Sequence, residues 1–217
     1  MDGIDGVFHL AAVAQGMQSG KAWESIETNV NGSMNVLEES LNPKYCLDFV
    51  VGVSSDKAVK VSGVYGATKF LMEKLFSEFE IINNKVEYRI VRLGNILYSV
   101  DSVLYRWKDL IKNCEDVVVT DMKATRFNMS VDNAVNSIIR CLDKSNDSTP
   151  YYDEMKSMSV GNLLNAMLNK YSPEDCKSPI NMIGLQDGEN LHEKISEDWA
   201  SSDEVEQYTI EELEKII

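Results

Sequence analysis

The sequence predicts an α/β fold built on a doubly wound parallel sheet. Short apolar runs alternate with longer stretches of helical period, the runs are apolar throughout rather than on alternate residues, and polar clusters follow them directly. Strands buried on both faces read as continuous apolar runs, whereas half-exposed strands alternate. Strands alternating with helices imply right-handed crossovers, and too few units are present for an eight-stranded barrel.

Residues 7–14 (VFHLAAVA) read as the first buried strand. In residues 22–41 the apolar side chains Trp23, Ile26, Val30, Met34, Leu37 and Leu41 recur at threes and fours, a helix that Asn42-Pro43 ends. Residues 46–53 (CLDFVVGV) form the second strand. Ala67, Leu71, Leu75 and Phe79 give residues 64–82 a helical period, and residues 86–97 (VEYRIVRLGNIL) return to strand through β-branched content. Helices at 103–112, 131–144 and 160–170, a strand at 117–120 and a charged helical tail from Thr209 complete the chain.

At 217 residues and 24.4 kDa, with 44% hydrophobic content, the chain can bury a core and is neither disordered nor repetitive. Thirty-five acidic against 21 basic residues give a charge of -14, a field that repels nucleic acid and anionic membrane surfaces. Cys46, Cys114, Cys141 and Cys176 lack any CxxC spacing and only two histidines are present, so neither a disulfide framework nor a metal site is expected. A reducing cytoplasm fits that usage. No apolar run approaches the roughly 20 residues of a membrane span, and the N-terminus lacks a basic signal-peptide start.

Ligands of open parallel sheets sit at the carboxyl ends of the strands. Ser54-Ser55-Asp56-Lys57 follows the second strand, and Gly94-Asn95 lies near the end of the third. Tyr65 and Lys69, four apart at a helix start, share one face. A phenol titrates near 10 and is a poor base, but a neighbouring ammonium favours the phenolate. Alone, that spacing equally describes an ordinary surface pair. Ser55, ten residues upstream, adds a hydroxyl, and Asp56-Lys57 an adjacent acid and ammonium.

Together, Ser54-Ser55-Asp56-Lys57-Ala58 and Tyr65-Gly66-Ala67-Thr68-Lys69 resemble the extended short-chain dehydrogenase/reductase family. Within it they resemble the nucleotide-sugar 4,6-dehydratases of polysaccharide biosynthesis, of UDP-N-acetylglucosamine type. Phe8-His9-Leu10-Ala11-Ala12 resembles that family's fourth strand, Thr28-Asn29-Val30-Asn31-Gly32 its active-site helix and Val91-Arg92-Leu93-Gly94-Asn95 its sixth strand. Thr120-Asp121, Thr125-Arg126-Phe127 and residues 184–193 (GLQDGENLHE) resemble its substrate-lobe motifs.

The resemblance implies an internal redox cycle in which NAD takes hydride from sugar C4, water is eliminated across C5 and C6, and hydride returns to C6. It makes Tyr65 the oxidation base, Lys69 the group that lowers its pKa and holds the cofactor ribose, and Ser55 the partner of the 4-hydroxyl. Asp56 and Lys57 become the elimination acid and base. Ala11, Ala12, Asn29 and Leu93, with Tyr65 and Lys69, are the implied cofactor contacts. Asn95, Arg126 and Glu189 are the implied contacts of the nucleotide sugar. A structural ion pair is the lesser alternative for Arg126 and a surface acid an equal description of Glu189; His9 and His192 read as packed structural residues. Residues 1–115 would carry the sheet and catalytic groups, and residues 116–217 mainly a substrate lobe interleaved with it.

Departures from the family matter. No Gly-x-Gly-x-x-Gly occurs, so the pyrophosphate cradle of dinucleotide folds is missing. The first recognisable strand corresponds to the family's fourth. The expected architecture is therefore an incomplete, Rossmann-like sheet from strand 4 onward with a small C-terminal lobe, its first strand an open apolar edge. NAD would bind only if the missing half were supplied, as by a partner chain; alternatively copies pair with each other, or the chain is a truncated, inactive or regulatory subunit. The proline expected after Asp56-Lys57-Ala58 is absent, and Gly-Leu-Arg-Pro-Gly-Glu-Lys becomes Gly184-Leu185-Gln186-Asp187-Gly188-Glu189-Asn190, with two cations gone. Tyrosine at 65, where long membrane-bound relatives carry methionine, points to the soluble short form. A C4-epimerase of the same family is the enzymatic alternative, since it needs no elimination groups.

Overall fold

The structure, a computed structural model, describes residues 1–14, 22–99 and 102–217. Its main sheet has three parallel strands in the order β1 (Gly6–His9), β2 (Phe49–Ser55), β3 (Glu87–Leu93), with Val7 opposite Val50 and Val50 opposite Tyr88. A 3-10 turn, Asp56–Ala58, leaves β2 directly. Helix α1 (Ala22–Ser25), a π-helical stretch Ile26–Asn31 and helix α2 (Gly32–Ser40) connect β1 to β2; helix α3 (Val64–Ile82) connects β2 to β3.

Burial on both faces explains the continuous apolar runs. Val50, Tyr88 and Ile90 pack against Leu37 of α2 and Met72, Phe76 and Phe79 of α3. On the opposite face Val51, Val91 and Leu93 meet Ala134 and Cys141 of α5 (Val131–Lys144). Adjacent strand residues point to opposite faces, so Val50 and Val51 serve different layers. This is the doubly wound α/β arrangement that the alternation predicts.

Two expected elements are shorter or interrupted. The first strand stops at His9 rather than continuing to residue 14. Beyond it the Asn29 side chain binds the backbone of Val13, accepting from its N–H at 2.7 Å and donating to its carbonyl at 3.1 Å. Those groups are thus satisfied without a sheet neighbour. The run at 86–97 breaks at Gly94, where an added Cβ would lie 2.9 Å from the Phe127 carbonyl oxygen. That close approach lets β4 (Asn95–Ile96) leave the sheet and pair with β6 (Thr125–Met129).

Helix α4 (Val103–Lys112) and strand β5 (Val117–Val119) stand close to where they are expected. Helices α6 (Val160–Tyr171) and α7 (Ile210–Ile216) also fall close to expectation, the latter opened by a Thr209–Glu212 capping box. Their apolar residues form another cluster with Trp107, Ile111, Met158, Leu164 and Leu213. The short strands β6, β7 (Ser157–Ser159) and β8 (Ile180–Met182) were not expected; β7 pairs antiparallel with β6, and β8 parallel with β5. The expectation of unpaired cysteines is corrected at two positions. Cys114, just after α4, and Cys176, in the loop before β8, are joined by a disulfide, while Cys46 and Cys141 are free. Among the described residues no helix is long and apolar enough to cross a membrane, and no cluster of ligating side chains could hold a metal.

Candidate active site

The carboxyl end of β2 presents Ser54 and Ser55, and the turn behind it presents Asp56 and Lys57. Ser55 caps this turn, its Oγ accepting from the Lys57 N–H at 3.3 Å. Tyr65 enters from the first turn of α3, which lies against the turn because residue 66 is glycine. A Cβ at Gly66 would stand 2.3 Å from the Lys57 carbonyl oxygen, a contact no other residue can relieve without moving backbone.

The result is a continuous hydrogen-bonded line. Ser55 Oγ donates to Asp56 Oδ1 at 2.7 Å, and the Tyr65 hydroxyl interacts with Ser55 on its other side. Lys57 Nζ donates to Asp56 Oδ2 at 2.9 Å and stands 3.0 Å from Glu193 Oε1. Glu193 in turn lies 3.7 Å from Arg126 Nε. Asp56 and Glu193 are 1% and 2% exposed. The line thus joins phenol, hydroxyl, carboxylate, ammonium and a second carboxylate. Carboxylate beside ammonium beside a phenol is the donor set that proton removal and proton delivery at neighbouring atoms require.

Lys69 is engaged by the protein's own backbone. Its ammonium donates to the Val53 carbonyl at 2.7 Å and touches Met72 Sδ at 3.8 Å. Burial pulls its pKa down to about 8, against an upward pull from Glu73. Burial, and then the Asp56 charge, push Tyr65 up to about 12, with the Ser55 hydrogen bond opposing them. The spacing placed both side chains on one face, but a strand-end carbonyl captured the ammonium.

These two groups set a stability profile. Between about pH 8 and 10.5 the unfolded chain holds a proton on Lys69 that the folded chain lacks, so Lys69 makes stability rise with pH through that window. Between pH 10 and about 12 Tyr65 holds in the folded chain a proton that the unfolded chain has lost, and its contribution falls with pH. Urea unfolding of wild type and Lys69→Met from pH 7 to 10.5 is expected to show wild type gaining stability relative to the variant as pH rises. A gap that stays constant would contradict the lowered Lys69 pKa.

The implied cofactor contacts sit around β1 and α3. Ala11 and Ala12 are exposed, just beyond the end of β1. Asn29 is fully buried, with its amide spent on Val13 and on Thr68 Oγ1 at 3.0 Å. It shapes that wall from behind rather than offering its side chain to a ligand. Leu93 packs into the sheet core. His9 Nε2 bonds Ser33 Oγ at 2.9 Å; because Ser33 donates to the Asn29 carbonyl, that nitrogen carries the hydrogen. His9 is a packed residue, its pKa lowered by burial and then by Lys69.

The implied substrate contacts are partly engaged by the protein. Asn95 donates to the Phe127 carbonyl at 3.0 Å, and Arg126 to the carbonyls of Thr125 and Leu191 at 2.9 and 3.1 Å. Arg126 is thus the structural partner of Glu193 and of the segment near it. Glu189 Oε2 accepts from the Gln186 N–H at 3.1 Å, closing a turn. That turn leans on the loop ahead of α3, with Ser62 Oγ donating to the Gly188 carbonyl at 2.8 Å and Asn190 to the Lys60 carbonyl at 3.0 Å. His192 Nδ1 bonds Thr125 Oγ1 at 2.8 Å. Sequence reasoning left Glu193 without a role although it ends a quoted motif, because nothing in the motif says which side chain turns inward.

Fold and site together define an α/β protein that carries a phenol and an acid–ammonium couple at the carboxyl end of a parallel strand. The family described as "Polysaccharide biosynthesis protein" matches residues 1–214, and the chain belongs to it. A UDP-N-acetylglucosamine 4,6-dehydratase (inverting) of Campylobacter jejuni is 29% identical over 89% of this chain and 56% of its own length. A UDP-glucose 4-epimerase of Rickettsia canadensis is 31% identical over 96% and 61%, and an uncharacterized membrane protein of Methanocaldococcus jannaschii 31% over 97% and 63%. The chain therefore spans 56 to 63% of the length of these curated relatives. Among solved structures, Pen from Bacillus thuringiensis superposes with a TM-score of 0.86 at 24% identity, over 99% of this chain and 74% of that one. DesIV, a dTDP-glucose 4,6-dehydratase from Streptomyces venezuelae with NAD bound, gives 0.75 at 17% over 88% and 64%. These likenesses establish the Rossmann-like fold. Dehydratases and epimerases both stand among the relatives.

Proposed function

We propose that this chain is the catalytic and substrate-binding portion of a nucleotide-sugar 4,6-dehydratase acting on a UDP-N-acetylhexosamine. The observation that carries the reading is the Tyr65–Ser55–Asp56–Lys57 line, which sets an acid–ammonium couple beside the phenol. Oxidation at C4 needs one base; removing water across C5 and C6 needs a second base and an acid, and only a dehydratase uses both sets. Tyr65 takes the hydroxyl proton, Ser55 holds the hydroxyl, and Asp56 and Lys57 share the elimination. Asn95, Arg126 and Glu189 are proposed to lie along the nucleotide end.

The residues fit one end of NAD. Small, exposed Ala11 and Ala12 leave room beyond β1, and Lys69 keeps a donor beyond the Val53 carbonyl. NAD, when bound, supplies the transient oxidation of the sugar. The glycine motif for its pyrophosphate is absent from this sequence. We therefore propose that a glycine-bearing half meets β1. Phe8 and Leu10 there are 43% and 55% exposed, and β1 pairs only with β2 among the described strands. The cytoplasm is the compartment proposed from cysteine spacing, with the Cys114–Cys176 disulfide the feature that counts against it.

A specific observation favours the C4-epimerase as second reading: Lys57 is clasped by two carboxylates rather than free to act as a base. The assembled protein, NAD and UDP-N-acetylglucosamine decide between them. A 4-keto-6-deoxy product lighter by one water is expected by mass spectrometry. A product of unchanged mass would establish the epimerase, and no turnover together with no substrate-induced change in melting temperature would remove both.

A further inference from the structure

We propose that Glu193 is a positioning residue that fixes Lys57 as an ammonium against Asp56 and so ties the C-terminal segment to the acid–ammonium couple. The proposal rests on geometry and holds under either the dehydratase or the epimerase reading. Glu193 is built in from both sides. Its N–H donates to Ser202 Oγ at 2.8 Å, and its carbonyl accepts from the Ser202 N–H at 2.9 Å. Two residues on, the Ile195 carbonyl accepts from Arg92 Nη1 at 3.0 Å. The carboxylate is therefore delivered by a segment pinned to β3 and β6, not by a mobile surface side chain.

Its placement is electrostatically specific. Oε1 meets the Lys57 ammonium at 3.0 Å, while Oε2 is buried with no hydrogen-bond partner among the described residues. A buried carboxylate with one oxygen unsatisfied is destabilising on its own, so it persists where its charge holds something else in place. Lys57 is that partner. Four charged or titratable groups bear on it: Asp56 from its own turn, Glu193 from the C-terminal segment, Arg126 from β6, and Tyr65 of α3 through Ser55 and Asp56. Burial and Arg126 pull the ammonium toward losing its proton; the two carboxylates overcome both and raise its pKa. Without Glu193, a single carboxylate would face burial and the guanidinium together.

The test reads the Lys57 proton directly, in the full chain labelled with ¹³C and ¹⁵N in lysine, with the Lys57 signal assigned by its loss in Lys57→Arg. In wild type the midpoint is expected above the ordinary 10.5. In Glu193→Gln it is expected to fall by about one pH unit, and Glu193→Asp is expected to recover part of that fall. An unmoved midpoint in a folded Glu193→Gln chain overturns the proposal. Should that variant not fold, Arg126→Gln decides: removing the guanidinium is expected to raise the midpoint, and a lowered or unchanged value overturns the proposal. The two readings fail separately. A shifted midpoint in a protein that never dehydrates the sugar removes the dehydratase and leaves Glu193 its hold on Lys57; dehydration with an unshifted midpoint removes Glu193 alone.

Discussion

Tyr65→Phe is expected to lower turnover of the assembled enzyme by about two to four orders of magnitude, the usual worth of a positioned acid–base group, while leaving substrate affinity close to wild type. The phenol's ring fills its place in either residue; only the hydroxyl, and with it the interaction with Ser55, is lost. Ser55 keeps its bond to Asp56 and its contact with the Lys57 N–H, so the turn holds. The hydroxyl stands near 12 in the free chain, and Lys69, near 8, is turned to a carbonyl. A working phenolate therefore requires additional positive charge close by when the ligands are bound. Equal losses in kcat and kcat/KM would mark an interaction made in the transition state, whereas a loss confined to KM would mark simple binding. An equally fast variant would dismiss Tyr65 as the base.

How much of this could be read from sequence depended on range. Helix α5 falls on residues 131–144 as expected because the Ser130 cap and the apolar period are local signals. The line Ser55-Asp56-Lys57 was legible because three of its members are consecutive and a strand end is where such residues work. Strands β6, β7 and β8 were not, because three to five residues such as Thr125–Met129 or Ser157–Ser159 carry no apolar run long enough to register. The split of the third run at Gly94 needed the approach of Phe127, which is a tertiary fact. The same limit hid the destination of each charge. Spacing put Lys69 on the face of Tyr65 but could not say that the Val53 carbonyl would take the ammonium. Nor could it show that Glu193 travels from far down the chain to Lys57. Cys114 and Cys176, 62 residues apart, met for the same reason.

The other large effect lies behind the site, where Arg92→Met is expected to destabilise the fold by about 3–5 kcal/mol. Arg92 of β3 and Glu73 of α3 form a bidentate pair, Nε to Oε1 and Nη2 to Oε2, both at 2.8 Å. Ser54 adds a hydrogen bond to Glu73 at 2.6 Å, and Arg92 Nη1 reaches the Ile195 carbonyl. Methionine fills much of the same volume but leaves Glu73, almost fully buried, without its bidentate partner. The penalty is that of the stranded carboxylate more than of the lost attraction, so adding Glu73→Leu to Arg92→Met should restore a large part of the stability. Urea unfolding of both variants and of the double measures this directly. A single variant within about 1 kcal/mol of wild type, or a double variant no better than the single, would show that the pair is not the buried unit described here. Because Arg92 also pins Ile195, the single variant should in addition release the segment that delivers Glu193, and the Lys57 midpoint should fall with it even where the chain remains folded.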